Sequence, residues 1–134
     1  MGARVGLIAV VFGWLALVMG CSGPKPTVEE EKALSMFQTV QQRLEESPSL
    51  EAFNRLLAQT ETELNHLKQN SRTQPCFVNA LTKCFASYQI IGKALNQKQR
   101  PLDEKRREEI DMALTFTTAF AAVNIKQARD CYNQ

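Results

Sequence analysis

Cysteine is the residue type with the most specific chemistry in this chain, which has four: Cys21, Cys76, Cys84 and Cys131. A thiol can be acylated, can form a disulfide or can bind a metal ion. No metal site and no cofactor are expected, because the sequence has no CxxC or HxxxH spacing and His66 is its only histidine. Acylation and disulfide formation remain, and the sequence around each cysteine indicates which one applies.

Cys21 follows a short apolar run at the start of the chain. Met1 to Arg4 carry positive charge, Val5 to Met19 are apolar, and Gly20 is a small residue directly before the cysteine. This run is shorter than the ~20 residues that cross a bilayer core, and it is typical of a cleaved signal peptide. The residues Val18-Met19-Gly20-Cys21 resemble a lipobox, so the chain is similar to the bacterial lipoprotein class over residues 1–21.

The resemblance implies that Cys21 carries a diacylglycerol thioether and an N-acyl chain. Each buried methylene contributes ~0.8 kcal/mol, so two or three chains would hold a small domain firmly. Ser22 stands where an inner-membrane retention signal would have aspartate, which favours the periplasmic leaflet of the outer membrane over the inner membrane. We therefore expect a signal peptide at 1–20, a lipidated tether at 21–28 and a helical domain at 29–134.

The size and charge of the mature chain indicate one small, nearly neutral domain. Without Arg4, fifteen of the sixteen basic residues remain against fourteen acidic residues. The basic run Lys105-Arg106-Arg107 is followed at once by Glu108-Glu109, so its local field largely cancels. Nucleic acid is therefore not an expected partner.

The domain is predicted to be all-α. Gly92 is the only glycine after Gly23, and the sequence has neither a period-two apolar run nor an Asn-Gly or Asp-Gly turn. Gly92 itself lies beside the apolar stripe of the third predicted helix, where it would let a neighbouring helix approach closely.

Four helix starts can be identified. The first helix is expected over Thr27–Glu46, with Thr27 as its N-cap. The later starts are a Ser47 cap with Pro48, the Gln74-Pro75 pair, and Pro101. The short connections between these helices predict an antiparallel four-helix bundle. Two stacked helical hairpins are the alternative, which the lack of a repeat between the two halves disfavours.

Helix geometry predicts which cysteines pair. If the third and fourth helices are antiparallel, Cys76 and Cys131 lie toward the same end of the hairpin. A bridge needs Cα atoms within ~7 Å, which this pair reaches with a bend or fraying of the last turns. Cys84 lies too far along the helix and is expected to be a free, buried thiol. The alternative is that all three of these cysteines are reduced and buried.

The fourth predicted helix has more apolar residues than one face requires. Its tract from Ala113 to Val123 fits a central, most buried helix with a tight crossing, and the spacing of Phe116 and Phe120 is typical of a core. The alternative is a groove that accepts a partner's amphipathic segment, formed by Phe116, Phe120 and Val123.

No constellation in the sequence predicts catalysis. His66 lies among polar residues of the second helix, and the acidic pairs Glu45-Glu46, Asp103-Glu104 and Glu108-Glu109 are typical of helix surfaces. We therefore expect a protein that is not an enzyme.

The sequence favours a lipid-anchored, periplasm-facing helical protein of the bacterial envelope that binds a protein partner or acts as a scaffold. One alternative is a pilot lipoprotein that binds a secretin subunit of a secretion system, because such proteins have a similar architecture. A small-molecule or lipid carrier is the second.

Overall fold

Four helices form the described part of the chain, residues 25–133 of the computed structural model. They are α1 (Val28–Glu45), α2 (Leu50–Gln69), α3 (Pro75–Lys98) and α4 (Glu104–Asp130). These residues contain no strand, and the helices pack against one another as an all-α four-helix bundle, as predicted. The predicted signal peptide, lipobox and sorting residue Ser22 lie outside the described residues.

A capping box begins α1. The Thr27 hydroxyl accepts a hydrogen bond from the Glu30 amide at 3.2 Å, and the Glu30 carboxylate accepts one from the Thr27 amide at 3.0 Å. Two backbone donors at the helix start are satisfied in this way. The N-cap predicted at Thr27 is therefore confirmed, and so is the start of α3 with Gln74 as N-cap and Pro75 at the first helical position.

The other two predicted helix starts are wrong by two or three residues. Ser47 has a φ of 52° and follows the end of α1, while Ser49 caps α2 by accepting from the Ala52 amide. In the same way α4 begins after Asp103, whose carboxylate accepts from the Arg106 amide at 2.7 Å. In both places a side-chain oxygen that reaches a free amide sets the start of the helix, rather than the nearby proline.

Consecutive helices run antiparallel, and α1 closes the ring by packing against α4. Of these four neighbouring pairs, α3–α4 makes the most extensive contact and α1–α4 the smallest. The buried side chains of all four helices form one hydrophobic core. Its largest fully buried members are Tyr88, Phe37, Phe53, Phe77, Leu64, Leu67, Leu81, Ile91 and Val40.

Gly92 lies where α2 and α3 approach closely, as its position beside the stripe predicted. A Cβ built on Gly92 would lie 3.4 Å from Cε1 of the Phe53 ring. The Phe53 ring therefore lies against the α3 backbone at Gly92, at a distance where a Cβ would make ordinary van der Waals contact.

The most buried helix is α3, not α4. The buried residues of α4 are Ile110, Ala121, Asn124, Ile125 and Ala128, most of them small or confined to its C-terminal half. The prediction of a central fourth helix is therefore wrong.

Among the described residues, no helix is both long enough and apolar enough to cross a membrane.

Candidate functional site

Large apolar side chains are exposed along one face of α4. Met112 is 60% exposed, Phe116 70%, Phe120 55% and Val123 51%. Steps of four, four and three residues place all four side chains on one side of the helix. We call this set the α4 stripe. The core spacing inferred for Phe116 and Phe120 is therefore wrong, because both rings lie at the surface.

The tight contact between α3 and α4 explains why the phenylalanines face outward. Ala121 and Ala128 are fully buried on the side of α4 that enters the core. Small side chains let two helix backbones approach closely and leave no room for a ring between them. The larger side chains of the same helix then lie on its other faces.

An apolar groove lies between α3 and α4. Its α4 wall contains Phe116 and Phe120, and its α3 wall contains Ile90, which is itself 52% exposed. Ala86 and Ser87 supply small side chains between these walls. The full lining is Lys83, Ala86, Ser87, Ile90, Phe116, Thr117 and Phe120, and it surrounds about 530 Å³. Val123 and Met112 extend the exposed stripe beyond the groove.

The hydroxyl groups in the groove are already hydrogen-bonded within their own helices. Thr117 donates to the Ala113 carbonyl at 2.6 Å, and Ser87 donates to the Lys83 carbonyl at 3.2 Å. Their donors are therefore not free to bind a ligand. The groove presents mainly methyl groups, aromatic rings and the Lys83 ammonium.

A disulfide joins the two helices that form the groove. Cys76 in the first turn of α3 is bonded to Cys131 at the C-cap of α4, with Cα atoms 6.0 Å apart. The structure thus contains the predicted pair, with Cys131 just beyond the helical residues. The bridge holds the N-terminal end of α3 to the C-terminal end of α4.

Cys84 is a free, fully buried thiol, as predicted. Burial raises the pKa of the Cys84 thiol to about 12, and a hydrogen bond with Tyr88 opposes this shift. Its sulfur lies 3.5 Å from the Ala121 carbonyl of α4, to which the thiol donates. Because the thiol stays protonated, Cys84 is a packing residue rather than a nucleophile.

Tyr88 links α3 to α1 across the core. Its hydroxyl donates to the Phe37 carbonyl at 3.0 Å and lies 3.3 Å from Oε1 of Gln41. Burial raises the pKa of Tyr88 well above its usual range, and the adjacent Cys84 acts in the same direction. The sequence pattern placed Tyr88 in the core but gave no sign of these polar contacts.

The other polar residues considered in the sequence are not brought together. His66 is exposed on α2, and the three acidic pairs are exposed at helix ends or on helix surfaces. Asp103 caps α4, while Glu46 and Glu109 form surface ion pairs with Arg43 and Arg106.

Sequence reasoning missed six residues of the candidate site, which are Lys83, Ala86, Ser87, Ile90, Met112 and Thr117. Met112 could have been predicted from the sequence, since it lies four residues before Phe116 on the same helix face. Ile90 and Lys83 could not have been predicted, because each is a single residue beside the buried stripe of α3.

A comparison with protein-family models, curated proteins and solved structures finds no match to this chain.

Proposed function

We propose that this chain is a lipid-anchored, periplasm-facing helical protein of the bacterial envelope that acts by binding another envelope protein. The observation that carries the proposal is the exposed α4 stripe with its adjoining groove. Contiguous exposed apolar patches of this kind are typical of interaction surfaces.

The energy available from the stripe supports a specific interaction. Complete burial of one large apolar side chain contributes about 1.5–3 kcal/mol. The four side chains of the stripe are half exposed or more, so covering them would contribute roughly 5 kcal/mol before the entropic cost of association. That energy suits a partner held close by an anchor, because tethering raises the effective concentration.

The proposed anchor would keep the domain near the membrane. Val28 lies seven positions after Cys21, and an extended chain spans at most about 3.6 Å per residue. The start of α1 would then stay within roughly 25 Å of the lipid surface. A partner would be a membrane protein or an assembly attached to the membrane.

The two narrower alternatives make different demands on the structure. A pilot lipoprotein would use the groove for a helical tail of a secretin subunit, so it is a special form of the same proposal. A carrier would need a cavity that covers most of its ligand, whereas the groove and two further hollows, of about 440 and 430 Å³, open to solvent. A ligand extracted from the purified protein would favour the carrier.

The experiment compares the size of the complex extracted from cells in mild detergent. We expect the wild-type chain to elute with a larger assembly and the Phe116→Ser/Phe120→Ser variant to elute alone. Val28→Ser is the matched control, since Val28 is 77% exposed on α1, away from the groove. Elution of wild type as a lone chain, or retention of the assembly by the double variant, would contradict the proposal.

The anchor is tested separately by membrane fractionation. Cys21→Ala is expected to leave the protein unprocessed, or soluble when the signal peptide is replaced by an ordinary secretory one. Normal membrane retention of that soluble form would rule out lipidation at Cys21.

A further inference from the structure

Two lysines without ion-pair partners lie beside the apolar groove. Lys83 lines the groove itself, and Lys93 lines the adjoining hollow together with Ile90, Arg106 and Glu109. Arg106 and Glu109 pair with each other at 3.0 Å. Within residues 25–133, neither Lys83 nor Lys93 takes part in an ion pair. Lys83 and Lys93 are therefore two positive charges beside the groove that no ion pair within residues 25–133 compensates.

The apolar and charged features of this face have the same length. Lys83 and Lys93 lie ten positions apart on α3, which corresponds to about 15 Å along the helix. Met112 and Val123, the two ends of the α4 stripe, lie eleven positions apart, or about 16.5 Å along the helix. Both lengths equal about three turns of an α-helix.

We infer that the groove binds an amphipathic helix of about three turns, with large apolar side chains on one face and carboxylates placed opposite Lys83 and Lys93. This inference rests on the proposed binding function and specifies the chemistry of the partner. Apolar contact would supply the affinity, and the two lysines would set the orientation of the bound helix.

The shape of the face favours a helix over a lipid surface. Ala86 and Ser87 form a low floor between Ile90 and the two phenylalanines of the groove. A projecting side chain of a partner helix can reach that floor. A flat bilayer surface would cover the exposed rings of the α4 stripe and leave the floor unfilled.

The charge of the face disfavours a second copy of this chain as the occupant. In a two-fold symmetric contact each protein presents the same patch to the other. Such a contact would bring Lys83 and Lys93 toward the same two lysines of the second copy. Four ammonium groups would then surround an apolar contact, and Glu109, the carboxylate that lines the adjoining hollow, is already paired with Arg106.

The test is carbodiimide coupling in the detergent-extracted assembly, which joins a lysine amine to a carboxylate that contacts it. We expect Lys83 or Lys93 to be coupled to an Asp or Glu of an amphipathic segment of the partner. Lys83→Arg/Lys93→Arg keeps both charges but has no primary amine at these positions. That variant should keep the assembly and lose the coupled peptide.

Charge reversal provides the second readout. We expect Lys83→Glu/Lys93→Glu to reduce the recovered assembly by about tenfold at low salt. Lys68→Glu is the control, since Lys68 is an exposed lysine of α2. Because all three lysines are exposed, these variants should fold as the wild type does, which circular dichroism would verify.

Any of the following outcomes would overturn the inference, and most of them would not contradict the proposed function. If the assembly survives charge reversal and no lysine–carboxylate adduct forms, the partner is not held by acidic residues. Coupling only between two copies of this chain would show a homodimer. If charge reversal releases the protein from anionic vesicles but not from the assembly, the face binds lipid. If wild type forms no assembly, the proposed function fails as well.

Discussion

Removing the Cys76–Cys131 disulfide is expected to lower the stability of the domain by about 4 kcal/mol. The two cysteines are 55 residues apart in sequence. In the chain-entropy model, a cross-link that closes a loop of this length stabilises the folded state by ~4 kcal/mol at 25 °C. Small domains have a total stability of about 5–15 kcal/mol. The double variant Cys76→Ser/Cys131→Ser should therefore still fold at low temperature, with an unfolding midpoint roughly 15 °C below that of the oxidised wild type.

The assay is urea and thermal unfolding followed by far-ultraviolet circular dichroism. Wild type is measured with and without a thiol reductant, and the double variant is measured in the same two conditions. Reductant should lower the midpoint of wild type and leave that of the variant unchanged. Coincident midpoints for oxidised wild type and the variant would refute the reasoning, because the bridge would then add nothing to folding.

Three further predictions concern the core and the helix starts. Folded Cys84 has a pKa of about 12 against an ordinary value of 9.0, so the stability that its protonated form contributes is present below pH 9 and is lost as the pH rises toward 12. Urea titrations at pH 8 and 10.5 should show this loss, and Cys84→Ala should show a smaller one. Gly92→Ala should change the unfolding free energy by less than about 1 kcal/mol, since its new Cβ would only touch Phe53, whereas Gly92→Leu should cost about 2 kcal/mol or more. Equal midpoints for the two Gly92 variants would contradict the close approach. Asp103→Ala should cost about 1 kcal/mol in the same assay, and no loss would mean that Asp103 is not the cap of α4.

The helical architecture and the disulfide could be predicted because both follow from simple geometry. A period near 3.6, few glycines and short connections indicate four packed helices. The fixed rise of a helix then places Cys76 and Cys131 at one end of a hairpin, and excludes Cys84 from the bridge. Two of the helix starts could not be predicted to the residue. Ser47 and Ser49 are equally good caps in composition, and only the backbone conformation decides between them.

The outward position of the phenylalanines on α4 could not be predicted from the apolar pattern. Core positions and binding positions are both apolar and both recur every three or four residues. The α3–α4 contact is close enough to select Ala121 and Ala128 for the core side, and this leaves Phe116 and Phe120 on the surface. The distance between the α3 and α4 backbones depends on the tertiary structure, so the apolar residues of one helix do not predict it.

Photocrosslinking in cells of the source organism tests whether the α4 stripe binds an envelope protein, as we propose. A photoreactive residue is placed at Phe116, at Val123 or at Glu61, an exposed position on α2 that serves as the control. We expect one dominant adduct with a single envelope protein from Phe116 and Val123, and none from Glu61. Crosslinks confined to the domain itself, or the same adducts from all three positions, would contradict it.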